Sequence, residues 1–430
     1  MIWFPESVDN MIHNTEITLI LVENYWTIDS RVWWFVTRIL NGTRDTNMAK
    51  DETDISQLIT EAKKGNLTAQ LTLAGIYEEG LGEQQDLGLA ARWFLKAAKQ
   101  GFAKAQSSIG EKYLHGYGVE KDDEQAVFWL SKAAEQNDVD GLASLAWCFQ
   151  NGFGIEQNYE KAVKGYQKAA RFGHVYARYN LGYMYSRGYG VDQDLQEALK
   201  WYRRAADKGN TKAQLNMGAL YAEGNGVEKN DIEAVEWYRK AAKFSYDKAL
   251  YNLALMYFEG RGVPQDYQEA EKLLREAAEQ GYSRAQYYLG YFYLNGLGVE
   301  KNVEESRVWF SKSARQGYAK AQYQLAKLIL NEAKTESDFT EAFTWFFHAG
   351  EQGHRKAQYY LGTMYANGSG IKQSDARAYS WFYAAAAANE SRARKAMKKV
   401  EKNLQADELV KARKEGESLS ITKTRESFDD

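Results

Sequence analysis

Short glycine pairs recur along the chain, as in Gly188-Tyr189-Gly190, and a turn of this composition could cradle a phosphate. A phosphate-binding turn of that kind follows a strand and opens directly into a helix. Before Gly188, however, Ala177 and Leu181 recur at the spacing of one helix face. The glycines therefore follow a helix, which predicts a structural turn and no nucleotide site.

The side chains able to support catalysis or metal binding are few and scattered. The chain has five histidines and one cysteine, Cys148, and none of them shows the spacing of a metal site. The Ser-x-x-Lys spacing of serine β-lactam enzymes occurs at Ser245–Lys248 and Ser420–Lys423, without the companion motifs of that chemistry. Cys148 lies in a helix beside Trp147, where a small packing residue is expected. The sequence thus predicts no catalytic residue, no metal site and no cofactor.

The composition excludes several classes of partner. Lys and Arg number 55 against 58 Asp and Glu, a net charge of −3, so the chain lacks the concentrated positive surface that nucleic-acid binding requires. No apolar run reaches the ~18 residues of a membrane-spanning helix, and the N-terminus lacks the basic start of a secretory signal. A single cysteine permits no internal disulfide, which favours a reducing compartment. We therefore predict a cytoplasmic protein that binds no nucleic acid and spans no membrane.

One period organises the long middle of the chain. The segment that begins at Ala177 recurs every 36 residues, without insertion, from Ala69 to about Arg392. Nine copies begin at Ala69, Ala105, Gly141, Ala177, Ala213, Ala249, Ala285, Ala321 and Ala357. A half copy precedes them over residues 51–68. Such a period is the signature of a stacked repeat fold.

Each copy predicts two helices joined by a glycine turn. The first helix carries Leu beside a small residue, as in Leu181-Gly182, which lets a neighbouring helix approach closely, and the second carries a Trp that faces alanines. Gly188 is expected to close the first helix in a left-handed conformation, and Asp194 to cap the second, with Glu197 completing a capping box. The equivalent cap candidates are Asp86, Asp122, Asn158, Asn230, Asp266, Asn302, Asp338 and Ser374. The eighth copy lacks both glycines, so its turn should differ in shape.

The pattern A-x-x-x-L-G-x-x-Y-x-x-G-x-G-V-x-x-D, followed by A-x-x-W-x-x-x-A-A-x-x-G, resembles the Sel-1-like repeat family, a branch of the tetratricopeptide-like α/α solenoids. The resemblance implies an all-α, right-handed superhelix of helix pairs that serves as an adaptor surface for other proteins. A cysteine-rich branch of the family has been linked to β-lactam hydrolysis, which supplies the alternative function. Repeats of that branch carry a cysteine pair each, whereas this chain has one cysteine in total.

Binding of a peptide or protein is the function that remains, and the first helices offer a face for it. Counted from each copy's first small residue, positions one, five, eight and nine should point inward. Positions three, seven and ten should point to the opposite side, which lines the concave groove of such solenoids. Tyr and Trp there combine apolar area with a polar edge, and Asn amides beside them can pair with a peptide backbone. The candidate groove residues are Trp147, Tyr179, Asn180, Tyr183, Asn216, Tyr251, Asn252, Tyr287, Tyr291, Tyr323 and Tyr359.

The tyrosines have a second interpretation, because rings at these positions could instead cover the seam between adjacent repeats. Both roles can hold for one residue. If the rings do line the groove, equal spacing predicts one continuous strip through copies four to seven.

The two ends depart from the repeat. Residues 1–50 are rich in Trp and form either an N-terminal cap or upstream sequence wrongly included before a natural start at Met48. Residues 393–415 predict a basic capping helix with a narrow apolar stripe that includes Ala393 and Val400. From about Gly416 the sequence is polar and patternless, so residues 416–430 are expected to form a disordered tail.

Overall fold

The structure is a computed structural model, and it describes residues 51–80 and 84–421. Within these residues it has twenty-one helices and no strand, which confirms the all-α class predicted from the repeat. The helices form two compact units, Met1–Gln193 and Asp194–Asp430, and each unit is a succession of helix pairs. The two interpretations of residues 1–50 concern a segment outside the described residues and stay open.

The first unit contains eight described helices: α1 Asp51–Lys63, α2 Leu67–Glu79, α3 Leu87–Lys99, α4 Ala103–His115, α5 Asp123–Glu135, α6 Val139–Asn151, α7 Tyr159–Arg171 and α8 Val175–Arg187. The second unit begins with α9 Leu195–Ala206, α10 Thr211–Glu223, α11 Asp231–Ala242, α12 Asp247–Glu259, α13 Tyr267–Glu279 and α14 Ser283–Asn295. It continues with α15 Val303–Arg315, α16 Ala319–Glu332, α17 Glu336–Glu351, α18 Arg355–Asn367, α19 Asp375–Ala387, α20 Ala393–Glu401 and α21 Ala406–Ile421. The even-numbered helices α2 to α18 are the first helices of the nine repeats (A helices), and α3 to α19, odd-numbered, are the second (B helices).

The A helices end as their glycines predict. Helix α8 starts after His174, whose Nδ1 accepts the backbone N–H of Ala177 at 3.1 Å. It closes at Gly188, which has φ 70° and donates its N–H to the carbonyl of Met184. A left-handed glycine ends α2, α4, α6, α10, α12, α14 and α18 in the same way. The interpretation of Gly188 as a helix C-cap is confirmed.

The second glycine of each turn has a different role. Gly154 has φ 63°, and a Cβ there would lie 2.0 Å from the carbonyl oxygen of Asp123, at the start of α5. A Cβ on Gly298 would lie 2.3 Å from the carbonyl oxygen of Tyr267, at the start of α13. The turn therefore rests its backbone on the beginning of the preceding B helix, where only glycine fits.

The B helices begin at the predicted caps in eight of the nine repeats. Asp194 is typical, because its Oδ1 accepts the backbone N–H of Glu197 at 2.9 Å. The carboxylate of Glu197 pairs with Lys200 at 2.9 Å, so the expected capping box has only its N-cap half. The eight confirmed caps are Asp86, Asp122, Asn158, Asp194, Asn230, Asp266, Asn302 and Ser374.

The eighth repeat corrects the ninth prediction. Without glycines, α16 runs to Glu332, and α17 begins early, after Thr335. Asp338 is therefore not the N-cap but the third residue of the helix, and it forms a reciprocal capping box with Thr335. The expectation that this turn differs in shape is confirmed, since its closing residue Ala333 has φ −56°.

Small residues bring the paired helices close together. A Cβ on Gly110 in α4 would lie 2.7 Å from Cγ of Leu130, and a Cβ on Gly290 in α14 would lie 2.8 Å from the ring of Phe310. Large B-helix aromatics fill the space around them. Trp93, Trp129, Trp237, Trp309 and Trp381 are at most 7% exposed, and Trp201 and Trp345 are partly buried.

In four repeats a glutamine pair joins the A helix to the end of the B helix, and the buried glutamine of the pair bonds back to the preceding repeat. Gln352 donates from Nε2 to Oε1 of the buried Gln322 at 2.8 Å, and Gln322 donates to the carbonyl of Ala314 at 3.2 Å. The same pair recurs as Gln100–Gln70, Gln136–Gln106 and Gln316–Gln286. Two repeats lack the donor glutamine, because Phe244 stands there opposite Gln214 and Ala388 opposite Gln358. The Oε1 atoms of Gln214 and Gln358 have no hydrogen-bond partner among the described residues. The period thus offers a place for this polar bond, and the residues of each copy decide whether it forms.

Two helices, rather than one, close the described C-terminal end. Ala393 and Val400 of α20 are buried, as the apolar stripe predicts. Helix α21 packs on α19, where Ser380 Oγ donates to the carbonyl of Ala412 at 2.9 Å. A Cβ on Gly416 would lie 2.8 Å from Cβ of Tyr383, so this glycine is part of the contact. The disordered tail expected from Gly416 is therefore wrong as far as Ile421, because small inward residues anchor a polar helix; residues 422–430 lie outside the described residues.

Candidate partner-binding face

Each A helix buries one side and leaves another open. At positions one, five and eight, Ala177, Leu181 and Met184 are fully buried. Position nine is only partly buried in most repeats, and Tyr257 and Tyr293 there accept hydrogen bonds from arginines of B helices at 2.8 and 2.7 Å. Positions four and seven are at least partly exposed in every repeat, and position three is partly exposed in five of the nine. We call the residues at these three positions the A-helix face.

In the first unit, the candidate residues Trp147, Tyr179, Asn180 and Tyr183 are all partly buried. The Trp147 ring lies 4.9 Å from the ring of Phe153 and 6.0 Å from that of His115. The Tyr183 ring lies 6.0 Å from that of Tyr189, and the Arg187 guanidinium lies over it at 5.9 Å. Neighbouring rings therefore support these side chains on one side and leave part of each surface open.

In the second unit, the position-three tyrosines pack on the residue that precedes the next A helix or, in the last repeat, α20. The Tyr251 ring lies 5.3 Å from that of Tyr282, and the Tyr287 ring lies 5.4 Å from that of Tyr318. Tyr323 stacks on His354 at 4.5 Å, and the Arg392 guanidinium covers Tyr359 at 4.2 Å. These rings do lie in the seam between repeats. Tyr251 and Tyr323 are buried there, whereas Tyr287, Tyr291 and Tyr359 keep part of their surface exposed.

The candidate amides are less uniform than their spacing suggests. Asn252 lies beside the phenol of Tyr238, whose pKa burial raises and Asn252 partly lowers, so this amide faces the fold as well as the open side. Asn180 and Asn216 are partly exposed. Tyr179 and Tyr183 belong to the first unit and the other strip tyrosines to the second, so the continuous strip stays a prediction.

A polar network on repeats two to four was not predicted from the sequence. Asp140 forms an ion pair with Lys104, and its Oδ1 lies 3.4 Å from Nε2 of His174. Beside it, Ser144 donates from Oγ to Glu111 at 2.9 Å. The hydrogen bond from His174, together with the Lys104 ammonium, holds the pKa of Asp140 well below its usual range, whereas burial raises the pKa of Glu111. The members come from three repeats and, apart from Lys104 and Asp140, from different repeat positions, so no single motif reveals them.

The network has the residue types of a hydrolase without the required geometry. Nδ1 of His174 accepts the backbone N–H of Ala177, and Nε2 faces Asp140. Both ring nitrogens are engaged, so neither is placed to take a proton from Ser144. The hydroxyl of Ser144 points instead to Glu111. The arrangement is one of charge pairing.

A basic cleft lies on the A-helix face of repeats eight and nine. It has a volume of about 460 Å³, and its lining includes Lys327, Arg355, Lys356 and Arg392. The sequence signal was the Lys at position seven in repeat eight, where repeats three, four and seven carry aromatic residues. That signal is visible only once the copies are aligned.

Comparison with known proteins decides the family. The family model of the Sel1 repeat matches nine consecutive times, from residues 68–102 to residues 355–390. The chain belongs to the Sel1 repeat family. Sel1 repeats form scaffolds that commonly mediate protein interactions.

Two solved structures show how far the similarity extends. A protective antigen of uropathogenic Escherichia coli with this repeat fold is 29% identical, with a TM-score of 0.59 over 85% of this chain and 93% of the other. A Sel1 repeat protein of Oxalobacter formigenes is 32% identical, with a TM-score of 0.57 over 72% of this chain and 89% of the other. None of the curated proteins compared with the Sel1 repeat chain matches it.

The remaining motifs of the Sel1 repeat protein are engaged in the fold. Ser245 donates to Glu276 at 2.8 Å rather than to Lys248, and Ser420 donates to the carbonyl of Glu417 at 2.7 Å. Lys423 lies outside the described residues.

Cys148 is fully buried, and burial raises the pKa of its thiol to about 12. The described residues contain no cluster of His, Cys, Asp and Glu suited to a metal ion. Among the helices that the structure describes, none has the length and apolar character to cross a bilayer.

Proposed function

We propose that this Sel1 repeat protein is a non-catalytic scaffold that binds a protein, or an extended segment of one, on its A-helix face. The observation that carries the proposal is the row of tyrosines that are supported on one side and open on the other. Tyr183, Tyr287 and Tyr291 are all of this kind. Rings held by their neighbours provide large contact area with little loss of side-chain entropy on binding. Within either unit, a groove formed by this face would suit an extended peptide, with Asn180 in the first unit or Asn216 in the second available to its backbone.

The proposal includes a cytoplasmic location and the absence of catalysis, nucleotide binding and nucleic-acid binding. Two observations support the absence of catalysis. Both ring nitrogens of His174 are engaged, and Ser245 donates its hydrogen bond to Glu276. Purified protein should not turn over a chromogenic β-lactam. Turnover that is lost in Ser245→Ala would instead favour the hydrolase alternative.

The test of partner binding replaces two partly exposed rings on the face. Wild-type protein and the Tyr183→Ala/Tyr291→Ala variant are immobilised at equal density, and captured proteins are quantified by mass spectrometry. Aromatic hot spots often contribute about 2 kcal/mol or more, so the variant should capture its partner at least about 30-fold more weakly. Circular dichroism and thermal melting should remain close to the wild type, because both rings are only partly buried.

A matched control removes two exposed apolar residues of B helices, away from the A-helix face. Phe128 in α5 and Ile232 in α11 are 47% and 66% exposed, so Phe128→Ala/Ile232→Ala deletes at least as much exposed apolar surface. The control should capture the partner as the wild type does. Equal loss in both variants, or normal capture by the Tyr183/Tyr291 variant, would show that the face is a packing seam and not the binding site.

A further inference from the structure

In the basic cleft of repeats eight and nine, the cationic side chains outnumber the carboxylates that line it. Lys327 comes from α16, Arg355 and Lys356 from the start of α18, and Arg392 from the residue before α20. One carboxylate, Glu390, lines the cleft with these four cations. The cleft therefore carries an excess of three positive charges, four minus one.

Glu390 is already engaged. It is 7% exposed, and its Oε1 accepts a hydrogen bond from Nε of Arg392 at 2.8 Å. In the described part of the chain, no carboxylate lies within ion-pair distance of Lys327, Arg355 or Lys356. All three side chains are exposed, so they are free to meet an external anion.

The buried groups nearby respond to the same positive charge. Burial, with the charges of Lys356, Lys320 and Arg355, lowers the pKa of His354 to about 4. Burial by itself would raise the pKa of Glu390, but the hydrogen bond and charge of Arg392, with the charge of Arg355, lower it. Both directions fit a region in which cations outnumber carboxylates.

The rings of the cleft favour a peptide over a nucleic acid. Single-stranded nucleic acids bind by stacking bases on free aromatic faces along a basic track. Here Tyr323 is stacked on His354, and Tyr360 is stacked on Phe346 at 4.8 Å with an angle of 3° between the planes. Each ring therefore has one face already covered. Lys327 occupies position seven, so the cleft also continues the A-helix face proposed to bind a peptide.

We propose that this cleft binds the carboxylates of an acidic segment of the protein partner. The proposal rests on the proposed function, because it assigns a chemistry to one end of the same face. Lysine and arginine recognise carboxylates through charge-assisted hydrogen bonds, and a cluster of exposed cations attracts an acidic peptide before contact. The carboxylates come either from Asp and Glu residues or from the free C-terminus of the partner.

The experiment measures binding of the full-length protein to synthetic peptides by fluorescence anisotropy. The probe is fluorescein-labelled Gly-Ser-Gly-Ser-Glu-Asp-Glu-Asp with a free C-terminus. Its C-terminal amide distinguishes side-chain from terminal carboxylates, and an amidated peptide with Gln and Asn in place of Glu and Asp, which has no peptide carboxylate, tests the need for charge. We expect the acidic probe to bind, with an affinity that falls as salt rises. The uncharged peptide should not bind.

Two double variants locate the binding. Lys327→Gln/Lys356→Gln removes two cleft cations, and the Kd for the acidic probe should rise at least about tenfold, or ~1.4 kcal/mol. Lys212→Gln/Lys248→Gln removes two exposed lysines from the repeat position that Lys356 occupies, but outside the cleft lining, and should leave the Kd unchanged. Thermal melting establishes that all proteins are folded.

Three outcomes would overturn the proposal. They are wild-type affinity in the cleft variant, equal loss in both double variants, and binding of a single-stranded oligonucleotide in place of the peptide. The proposed function is judged separately. If the acidic probe ignores the cleft while Tyr183→Ala/Tyr291→Ala still loses its partner, the scaffold role stands and only the cleft assignment fails.

Discussion

His174 and His354 occupy the same position in two repeats, one in each unit, yet they meet opposite charges. Each precedes an A helix and accepts a backbone N–H at Nδ1, at 3.1 and 3.2 Å. Beyond this shared cap, Nε2 of His174 faces the carboxylate of Asp140 at 3.4 Å. His354 instead stacks on Tyr323 and lies near lysine and arginine side chains. The charged side chains around His174 pair with one another, whereas lysine and arginine side chains around His354 have no carboxylate partner among the residues that the structure describes.

The difference arises at the residue before position one. In repeats two and three this residue is Lys104 and then Asp140, which pair across the repeat boundary. In repeats eight and nine it is Lys320 and then Lys356, which cannot pair. The repeat fixes where a side chain stands, and the adjacent copy decides which charge it meets. The charge at this position thus decides whether two adjacent repeats form an ion pair, and in repeat nine Lys356 instead lines the cleft with Lys327, Arg355 and Arg392.

The comparison requires that both regions have the same glycine turn between the A helix and the B helix. Substitution of the second glycine of this turn tests the requirement and has the largest expected effect. Gly154→Ala in the first unit and Gly298→Ala in the second would each place a Cβ against a carbonyl oxygen and impose φ near +65° on alanine. Each should lower the free energy of unfolding by about 3 kcal/mol. Urea denaturation monitored by circular dichroism measures the loss.

The first glycines supply the control. Gly152 and Gly296 also have positive φ, but a Cβ there meets only contacts of 3.4 Å or more. Gly152→Ala and Gly296→Ala should therefore lose only about 1 kcal/mol, from backbone strain alone. If first and second glycines lose the same amount, close backbone contact is not what the second glycine provides.

The sequence predicts the helix ends and turns better than it predicts the ion pairs between repeats, for a physical reason. A turn such as Gly188 to Asp194 is specified by neighbouring residues, so its composition reveals helix ends and caps. The ion pair of Lys104 with Asp140 joins two repeats, and its meaning depends on packing that a motif does not contain. The prediction that Asp338 is an N-cap is wrong because the shortened turn of repeat eight moves the helix start to Glu336. The prediction of a tail from Gly416 is wrong because the contact of this glycine with Tyr383 is tertiary and leaves no local pattern.

The histidine of the basic region should make stability depend on pH. The pKa of His354 falls from an ordinary 6.5 to about 4 in the fold, through burial and the charges of Lys356, Lys320 and Arg355. Between these values the unfolded state binds more protons, so stability is full above pH 6.5 and declines as the pH falls towards 4. At pH 5 the loss should be about 2 kcal/mol.

A variant that caps without titrating isolates this effect. Asn66 and Asn210 stand at the same position in other repeats and accept the equivalent N–H at 2.9 and 2.8 Å. His354→Asn should therefore keep the cap and lose stability less steeply than the wild type between pH 6.5 and 5. Identical urea midpoints for the two proteins across this range would contradict the burial of a neutral His354 among cations.

Two single substitutions have the smallest expected effect and address the comparison most directly. Each removes one charge, one from the region of His174 and the other from the region of His354. Asp140→Asn leaves Lys104 and His174 without their carboxylate, and it should lower the free energy of unfolding by about 1 kcal/mol, since the pair is partly exposed. Lys356→Gln removes an unpaired cation from the start of α18, where positive charge opposes the helix dipole. It should leave stability unchanged or raise it by ~0.3 kcal/mol. Urea titrations at low and high salt measure both, and high salt should shrink the difference. If Lys356→Gln destabilises the protein as much as Asp140→Asn does, Lys356 has a structural partner, and the contrast between a neutralised and an open region fails.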